Sequence, residues 1–373
     1  VVGDVARAED FAQDALLAAL EQWGESGVPD NPGAWLATVA RRRAIDHLRR
    51  RDRVEEKHRE LGDDLDLAGT LEEPAADLGE PIDDEVLRLY FMCCHPVLSP
   101  EARVALTLRL VGGLTTEEIA RAFLVPVPTL AQRIVRAKRT LREARVPFEL
   151  PPEEELPERF ASVLEVVYLI FNEGYAATSG DRWTRPELCR DALRLARILA
   201  GLAPGEPEVH GLVALMELQA SRLTARVGPG GEAILLMDQD RARWDRLHIR
   251  RGLAALEAAR ALGDALGPYG LQAAIAACHA RATTPDETDW EAIAALYDGL
   301  AQLTPSPVVE LNRAVAVGRA FGPAAGLELV DALREEKRLA GYHLLPAVRG
   351  DLLERLGRVD EARTEFRRAA GMT

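Results

Sequence analysis

The sequence predicts an all-α protein of two or three domains, and three observations carry that prediction. Apolar residues recur at intervals of three and four along nearly the whole chain of 373 residues, interrupted by Gly, Pro and acidic breaks. Two basic segments, one within residues 34–51 and one within 114–142, flank an acid-rich stretch. The length also exceeds what one hydrophobic core organises, so the chain is expected to divide.

Taken in order, the first helix is expected over Ala8–Trp23, where Phe11, Ala15, Leu16, Ala19 and Leu20 fall at helical spacing. Gly24 to Pro32 breaks it, and Asn31-Pro32 then signals a new start. The second helix is expected from about Gly33 to Arg53, with Leu36, Val39, Ala40, Ala44 and Leu48 on its apolar face and Arg42, Asp46, Arg49 and Arg53 elsewhere. Residues 54–83 lose periodicity and gather Gly, Pro and acid, the composition of a linker. Helices resume at Asp84–Cys94, stop at Pro96, resume from Pro100 to Val111 and lead through Gly112-Gly113 onward.

The net charge of −14 would ordinarily argue against nucleic acid. Its distribution reverses that reading, because residues 55–85 hold thirteen acids against Lys57 and Arg59, and without them the first 150 residues are net basic. An acidic tether thus joins two basic modules. The second has the layout of a helix-turn-helix: Leu114-Thr115-Thr116-Glu117-Glu118-Ile119-Ala120-Arg121, a turn at Val125-Pro126, and a helix ending in Ile134-Val135-Arg136-Ala137-Lys138-Arg139. Ile119, Ala120 and Phe123 are expected to pack against Leu130, Ile134, Ala137 and Leu141, a stripe at steps of four, three and four. Pro128 suits a first helical turn. The residues left over for DNA are Thr129, Gln132, Arg133, Arg136, Lys138, Arg139 and Arg142. Those up to Arg136 are assigned to base edges and the later Arg and Lys to phosphates. The competing reading is a solvated basic helix closing an ordinary bundle.

Four cysteines (Cys93, Cys94, Cys189, Cys278), with no signal peptide and no apolar run long enough to span a bilayer, fit a reducing cytoplasm. The chain opens at Val1-Val2-Gly3-Asp4 without Met, and natural residues upstream are expected to be missing.

On these residues a resemblance rests. Ala8-Glu9-Asp10-Phe11-Ala12-Gln13-Asp14-Ala15-Leu16 together with Trp35-Leu36 through Arg50 resembles region two of an extracytoplasmic-function sigma factor, and Leu114 to Arg142 resembles its region four. Phe91-Met92-Cys93-Cys94-His95-Pro96 and Tyr168-Leu169-Ile170-Phe171-Asn172-Glu173-Gly174-Tyr175 are similar to the subgroup with a C-terminal tetratricopeptide-like extension. The implied domains are a partial region two at 1–53, the acidic linker at 54–83, region four at 84–150 and a helical array at 157–373. Region two lacks its first helix or two, and Arg42 stands where the family usually has Asn. The resemblance implies binding to core RNA polymerase and to promoter DNA and no catalysis; no cofactor and no metal are expected. It implies polymerase contacts at Gln13, Asp14 and Leu17. It places Trp35 and the loop Gly24–Asn31 beside the pocket for an unstacked base, and Arg41, Arg43, Arg49 and Arg50 on the DNA backbone. Trp35 equally reads as a buried anchor between helices.

Beyond residue 157, Gly350, Leu353, Gly357, Ala362, Phe366 and Ala369 fall at tetratricopeptide offsets, and Asn312, Val315, Ala324 and Leu327 offer a weaker copy. Degenerate repeats are expected between 185 and 300, giving a concave surface for a protein or small-ligand regulator. Three constellations invite other readings. Cys93-Cys94-His95 is a zinc candidate or, given adjacent cysteines, packing at a helix end. Asn172-Glu173-Gly174-Tyr175 with Asp181 and Arg182 is a ligand or carboxylate site or an ordered helix end. Asp238-Gln239-Asp240-Arg241 with Trp244 is a site or a capping turn. The function expected is a sigma factor with a regulatory extension; the alternatives are a repeat-bearing activator that does not act through polymerase, a protein-binding scaffold, or an enzyme around Glu173 and Asp238.

Overall fold

The computed structural model describes residues 5–29, 31–33, 35–36, 38–40, 43, 82–123, 125–176, 184–228 and 230–372. Arg41, Arg49, Arg50, Asp181, Arg182 and nearly all of the acidic linker lie outside them. The described residues are helical with short 3-10 turns and one isolated β-bridge, Val227 to Ala233. The all-α expectation therefore holds. The chain separates into two compact units, residues 1–116 with 126–159 and residues 117–125 with 160–373.

In the first unit, α1 spans Val5–Ser26 and ends at Gly27, whose φ of 81° supplies the left-handed turn that stops a helix. Its buried edge is Ala15, Ala18 and Ala19. Leu16, Leu17 and Leu20 are exposed instead, so the helix packs through small residues and leaves its leucines open, unlike the stripe expected from spacing. A second helical segment contains residues 32–33, 35–36, 38–40 and 43.

Helix α2 (Ile82–Cys93) delivers Tyr90, Phe91, Met92, Cys93 and Cys94 to the interior. The Cys94 thiol lies 3.4 Å from the Thr107 hydroxyl on α3 (Pro100–Leu110), and the Phe91 carbonyl accepts from Arg159 at 2.6 Å. Ser99 caps α3 by accepting from the Ala102 amide. Gly112 and Gly113 end it: a Cβ at Gly112 would meet the Leu108 carbonyl oxygen at 2.5 Å, and Gly113 has φ 72°. Helix α5 (Val127–Glu143) packs against α3 through Leu130, Ile134, Ala137 and Leu141.

The second unit takes α4 (Thr116–Ala122), which buries Ile119 and Ala120, from Glu117, and α6 (Leu156–Tyr175) from Phe160. There follow α7 (Pro186–Leu202), α8 (Pro207–Ala220), α9 (Arg246–Leu262), α10 (Pro268–Arg281) and α11 (Trp290–Leu303). The chain finishes with α12 (Pro307–Ala320), α13 (Pro323–Ala332), α14 (Leu344–Arg355) and α15 (Val359–Ala370). From α7 onward, helices neighbouring in sequence pack side by side. Helix α8 touches α7, α9 and α10, and accordingly it is buried on nearly every side rather than along one stripe.

Two kinds of contact fix this array. Glycines allow close approach: a Cβ at Gly326 would come within 2.8 Å of Gly318 Cα, and one at Gly211 within 2.7 Å of the Gly270 amide nitrogen. Charged groups then tie helices together. Buried Glu217 on α8 accepts from Arg197 Nε at 2.8 Å and lies 2.6 Å from His248 Nδ1. Arg349 on α14 donates to Asp331 at 2.7 Å and to Glu365 at 2.8 Å. Burying an ion such as Glu217 is costly unless it is paired.

Candidate nucleic-acid interface

Helix α5 carries the candidate duplex-reading surface. Pro126 precedes it with extended backbone (φ −60°, ψ 137°), Pro128 lies in its first turn, and that turn contains no acid. Its amino end therefore keeps the partial positive charge of unpaired amides, which favours a phosphate. With the buried stripe turned inward, Thr129, Gln132, Arg136, Arg139 and Arg142 are exposed along the opposite side. Arg139 sits 3.6 Å from Glu143 in a solvent-exposed pair, an arrangement too weak to withhold it from DNA.

Two residues assigned to the DNA face sit on its flanks instead. Arg133 is half-buried and acts electrostatically on Glu101 at the start of α3. The Glu101 carboxyl is held below the usual range mainly by its own backbone amide and by the Ser99 hydroxyl, with Arg133 a smaller influence. Lys138, also half-buried, faces Cys93, whose thiol burial pushes well up while Lys138 opposes. One exposed residue escaped the sequence reading. Val135 is 66% exposed between Gln132 and Arg136, a place where an apolar side chain gains nothing from packing.

In the first helices, Trp35 is half-buried and its ring lies 5.4 Å from that of Trp23 at a 60° tilt. Arg43 donates to the Asp14 carbonyl at 2.7 Å, with the Asp14 carboxylate at 3.6 Å. The structure thus joins a residue assigned to DNA with one assigned to polymerase. Gln13, Asp14 and Leu17 are all exposed on α1, beside Leu16 and Leu20.

The other constellations have ordinary partners. Cys93 and Cys94 are buried at the end of α2, and His95 Nδ1 accepts from the Val97 amide at 3.1 Å. Gly174 lies against Cys189, where a Cβ would come within 2.7 Å of the Cys189 amide nitrogen. Glu173 pairs with Arg185, which also donates to the Ala122 carbonyl at the end of α4. Asp240 accepts from the Ala242 amide at 2.9 Å and so starts a short 3-10 turn, while Asp245 caps α9.

Comparison with known proteins follows the same division. Residues 1–54 match the family Sigma-70 region 2, residues 88–141 match Sigma-70, region 4, and residues 159–260 match a family of unknown function, DUF6596. An uncharacterized protein of Rhizobium meliloti (strain 1021) is 45% identical over 370 residues, covering 98% of this chain and 86% of that protein. The probable ECF RNA polymerase sigma factor SigI of Mycobacterium tuberculosis (strains CDC 1551 / Oshkosh and ATCC 25618 / H37Rv) is 29% identical over 156 residues, 41% of this chain and 52% of that protein. Both sigma regions present in order, a basic, outward-facing α5 in the second and the likeness to SigI support a sigma factor of the extracytoplasmic-function type, with a C-terminal extension that matches the family of unknown function.

Proposed function

We propose that this chain binds core RNA polymerase, reads the duplex minus-thirty-five element with α5 and engages the melted minus-ten element near Trp35. The observation that carries the reading is the α5 surface: Thr129, Gln132, Arg136 and Arg139 share one exposed side, backed by a buried stripe against α3. Arg and Gln there suit bidentate contacts to guanine and adenine, and Val135 suits the thymine methyl group. Arg133 and Lys138, from the flanks, reach phosphates rather than bases. Leu16, Leu17 and Leu20 on α1 form an exposed apolar strip, with Gln13 and Asp14 beside it, that fits a polymerase helix. Arg43 braces α1 through Asp14 while Arg41, Arg49 and Arg50 hold the DNA backbone.

A factor of this kind works in the cytoplasm and transforms no substrate, and no described helix is long and apolar enough to cross a membrane. The helical array beyond residue 157, tetratricopeptide-like in its last pair, serves as the regulatory part. Co-purification with core polymerase, followed by run-off transcription from a promoter selected by the holoenzyme, tests the proposal. Retention on core and promoter-dependent transcripts are expected. DNA binding without any retention on core would identify an activator acting apart from polymerase.

A further inference from the structure

In the second unit three arginines, Arg222, Arg226 and Arg241, gather around Tyr175 and Trp244. Two guanidinium groups converge on Tyr175 at the end of α6. Arg222 donates to the tyrosine hydroxyl at 2.8 Å, and Arg226 lies 3.6 Å above the ring centroid. Behind them, Arg222 and Arg241 both lie near the ring of buried Trp244, at 5.7 Å and 5.2 Å. Arg241, only 4% exposed, donates to the carbonyls of His279 and Ala282 and to the Thr288 hydroxyl, all neutral acceptors.

Among the described residues no carboxylate lies at ion-pair distance from Arg222, Arg226 or Arg241; the remaining partner of Arg222 is the Gln219 side-chain oxygen. Glu287 favours the Arg241 charge only from a distance, its carboxylate being held by Thr283. Burial weakens the Arg222 charge and Arg226 repels it further, and Arg222 in turn repels Arg241. Three buried polar nitrogens of the same cluster, Arg241 Nε, Trp244 Nε1 and His279 Nδ1, have no hydrogen-bond partner. Arg241 is buried and Arg222 and Arg226 are half-buried, so gathering their charge and leaving donors unpaired carries a cost that a bound anion would offset.

We propose that Arg222 and Arg226, supported by Arg241 and framed by Tyr175 and Trp244, bind a small oxyanion, the phosphate or carboxylate group of a soluble ligand. Guanidinium forks suit either group, because both present paired oxygens that accept parallel hydrogen bonds. Arg222 and Arg226 are each half-buried and so open in part to solvent. The site belongs wholly to the array, so its occupation would bear on the extension itself and needs neither DNA nor polymerase.

The test uses the full chain, with calorimetric titration of inorganic phosphate in one arm and succinate in the other, at ionic strength held constant with potassium chloride. Saturable binding of at least one is expected, accompanied by a rise in Tm. Phosphate alone would mark a phosphate-bearing ligand, and succinate alone a carboxylate-bearing one. Arg226→Gln, being half-exposed, should fold as shown by circular dichroism and lose affinity by about tenfold or more, the loss of one charge-assisted contact. Arg243→Gln, whose guanidinium donates to the Thr224 carbonyl, should bind as the native chain does. Arg222→Gln adds a second reading if it remains folded. Absence of saturable binding in both arms, or an Arg226→Gln variant that binds with native affinity, overturns the proposal.

Discussion

Arg136 lies at the centre of the exposed side of α5, whereas Arg142 lies nearer its carboxyl end, and under the proposed function the first serves base reading and the second charge neutralisation. Arg136→Ala in the polymerase-bound chain should weaken binding to the promoter duplex by about 1 to 3 kcal/mol and change base preference, while Arg142→Ala should mainly reduce the salt dependence. Titrations against promoter and scrambled duplexes check this; equal losses on both for Arg136→Ala would reassign that residue to phosphate. His279 offers a second measurement at this scale. Burial, then Arg222 and Arg241 beside it, pushes its imidazole from 6.5 down to about 3, while its ring keeps an edge contact with Trp290. The folded value is below the unfolded one, so the unfolded chain takes up the proton first. The imidazole contributes nothing above about pH 6.5, and stability falls by at most roughly 1.4 kcal/mol per pH unit between there and the folded value. His279→Phe, which preserves the aromatic contact, should make the decline in Tm between pH 7 and pH 5 shallower. A decline of unchanged steepness would show that His279 already titrates normally.

Elements differ in how far the sequence disclosed them. The stripe of Leu130, Ile134, Ala137 and Leu141 was readable because a helix packed on one side must repeat its apolar residues at its own period. The last helix pair was readable for a similar reason, with Gly350 beneath the Phe366 ring and Gly357 in the positive-φ turn between α14 and α15. Helix α1 misled because alanine and leucine score alike as apolar while the fold buries Ala15, Ala18 and Ala19 and leaves the leucines for another surface. The meeting of Gly318 with Gly326 was hidden, since glycine within a helix announces close approach only once the opposing helix is known. The cationic cluster was half visible: Asp238 to Arg241 with Trp244 stood out as unusual, but Arg222 meets Tyr175 across 47 residues and nothing local signals it. Gly326→Ala should destabilise the array by about 1 to 3 kcal/mol, because its Cβ would meet backbone of α12 that cannot yield without parting the helices. Gly201→Ala, near the end of α7 with nothing around it, should be neutral or stabilising by up to about 1 kcal/mol. Denaturant melts of both variants decide whether close glycine packing holds the α12–α13 pair.

On the scale of the whole molecule, charge is segregated along the chain, with thirteen acids in residues 55–85 between two basic modules. Neutralising Asp63, Asp64, Asp66, Glu72 and Glu73 should raise polymerase-free DNA binding at low salt and much less at high salt, as screened electrostatics require. Equal binding at low salt would leave the stretch a simple tether.

The extension poses the larger question, because two sigma regions suffice to contact polymerase and promoter, yet more than half of the chain lies beyond residue 157. Its first helix is not indifferent to the reading module. Arg159 donates to the Phe91 carbonyl and lies 6.0 Å from the Phe91 ring centroid, at the end of α2 where Cys93 and Cys94 are buried. Further along, Arg185 joins Glu173 to the last residue of α4 through the Ala122 carbonyl. Deleting residues from 157 onward removes both contacts and leaves the Phe91 carbonyl and the end of α4 to water. The truncated chain should stay soluble and still bind core polymerase through α1, but initiate more slowly because α4 and α2 lose their restraints. Arg185→Ala in the full chain should reproduce part of that loss while leaving affinity for core unchanged. Run-off transcription with native, truncated and Arg185→Ala chains at matched concentration makes the comparison. Indistinguishable rates for native and truncated protein would show that the extension does not govern initiation through these contacts, whereas a slow truncation beside a fully active Arg185→Ala would place the restraint at Arg159.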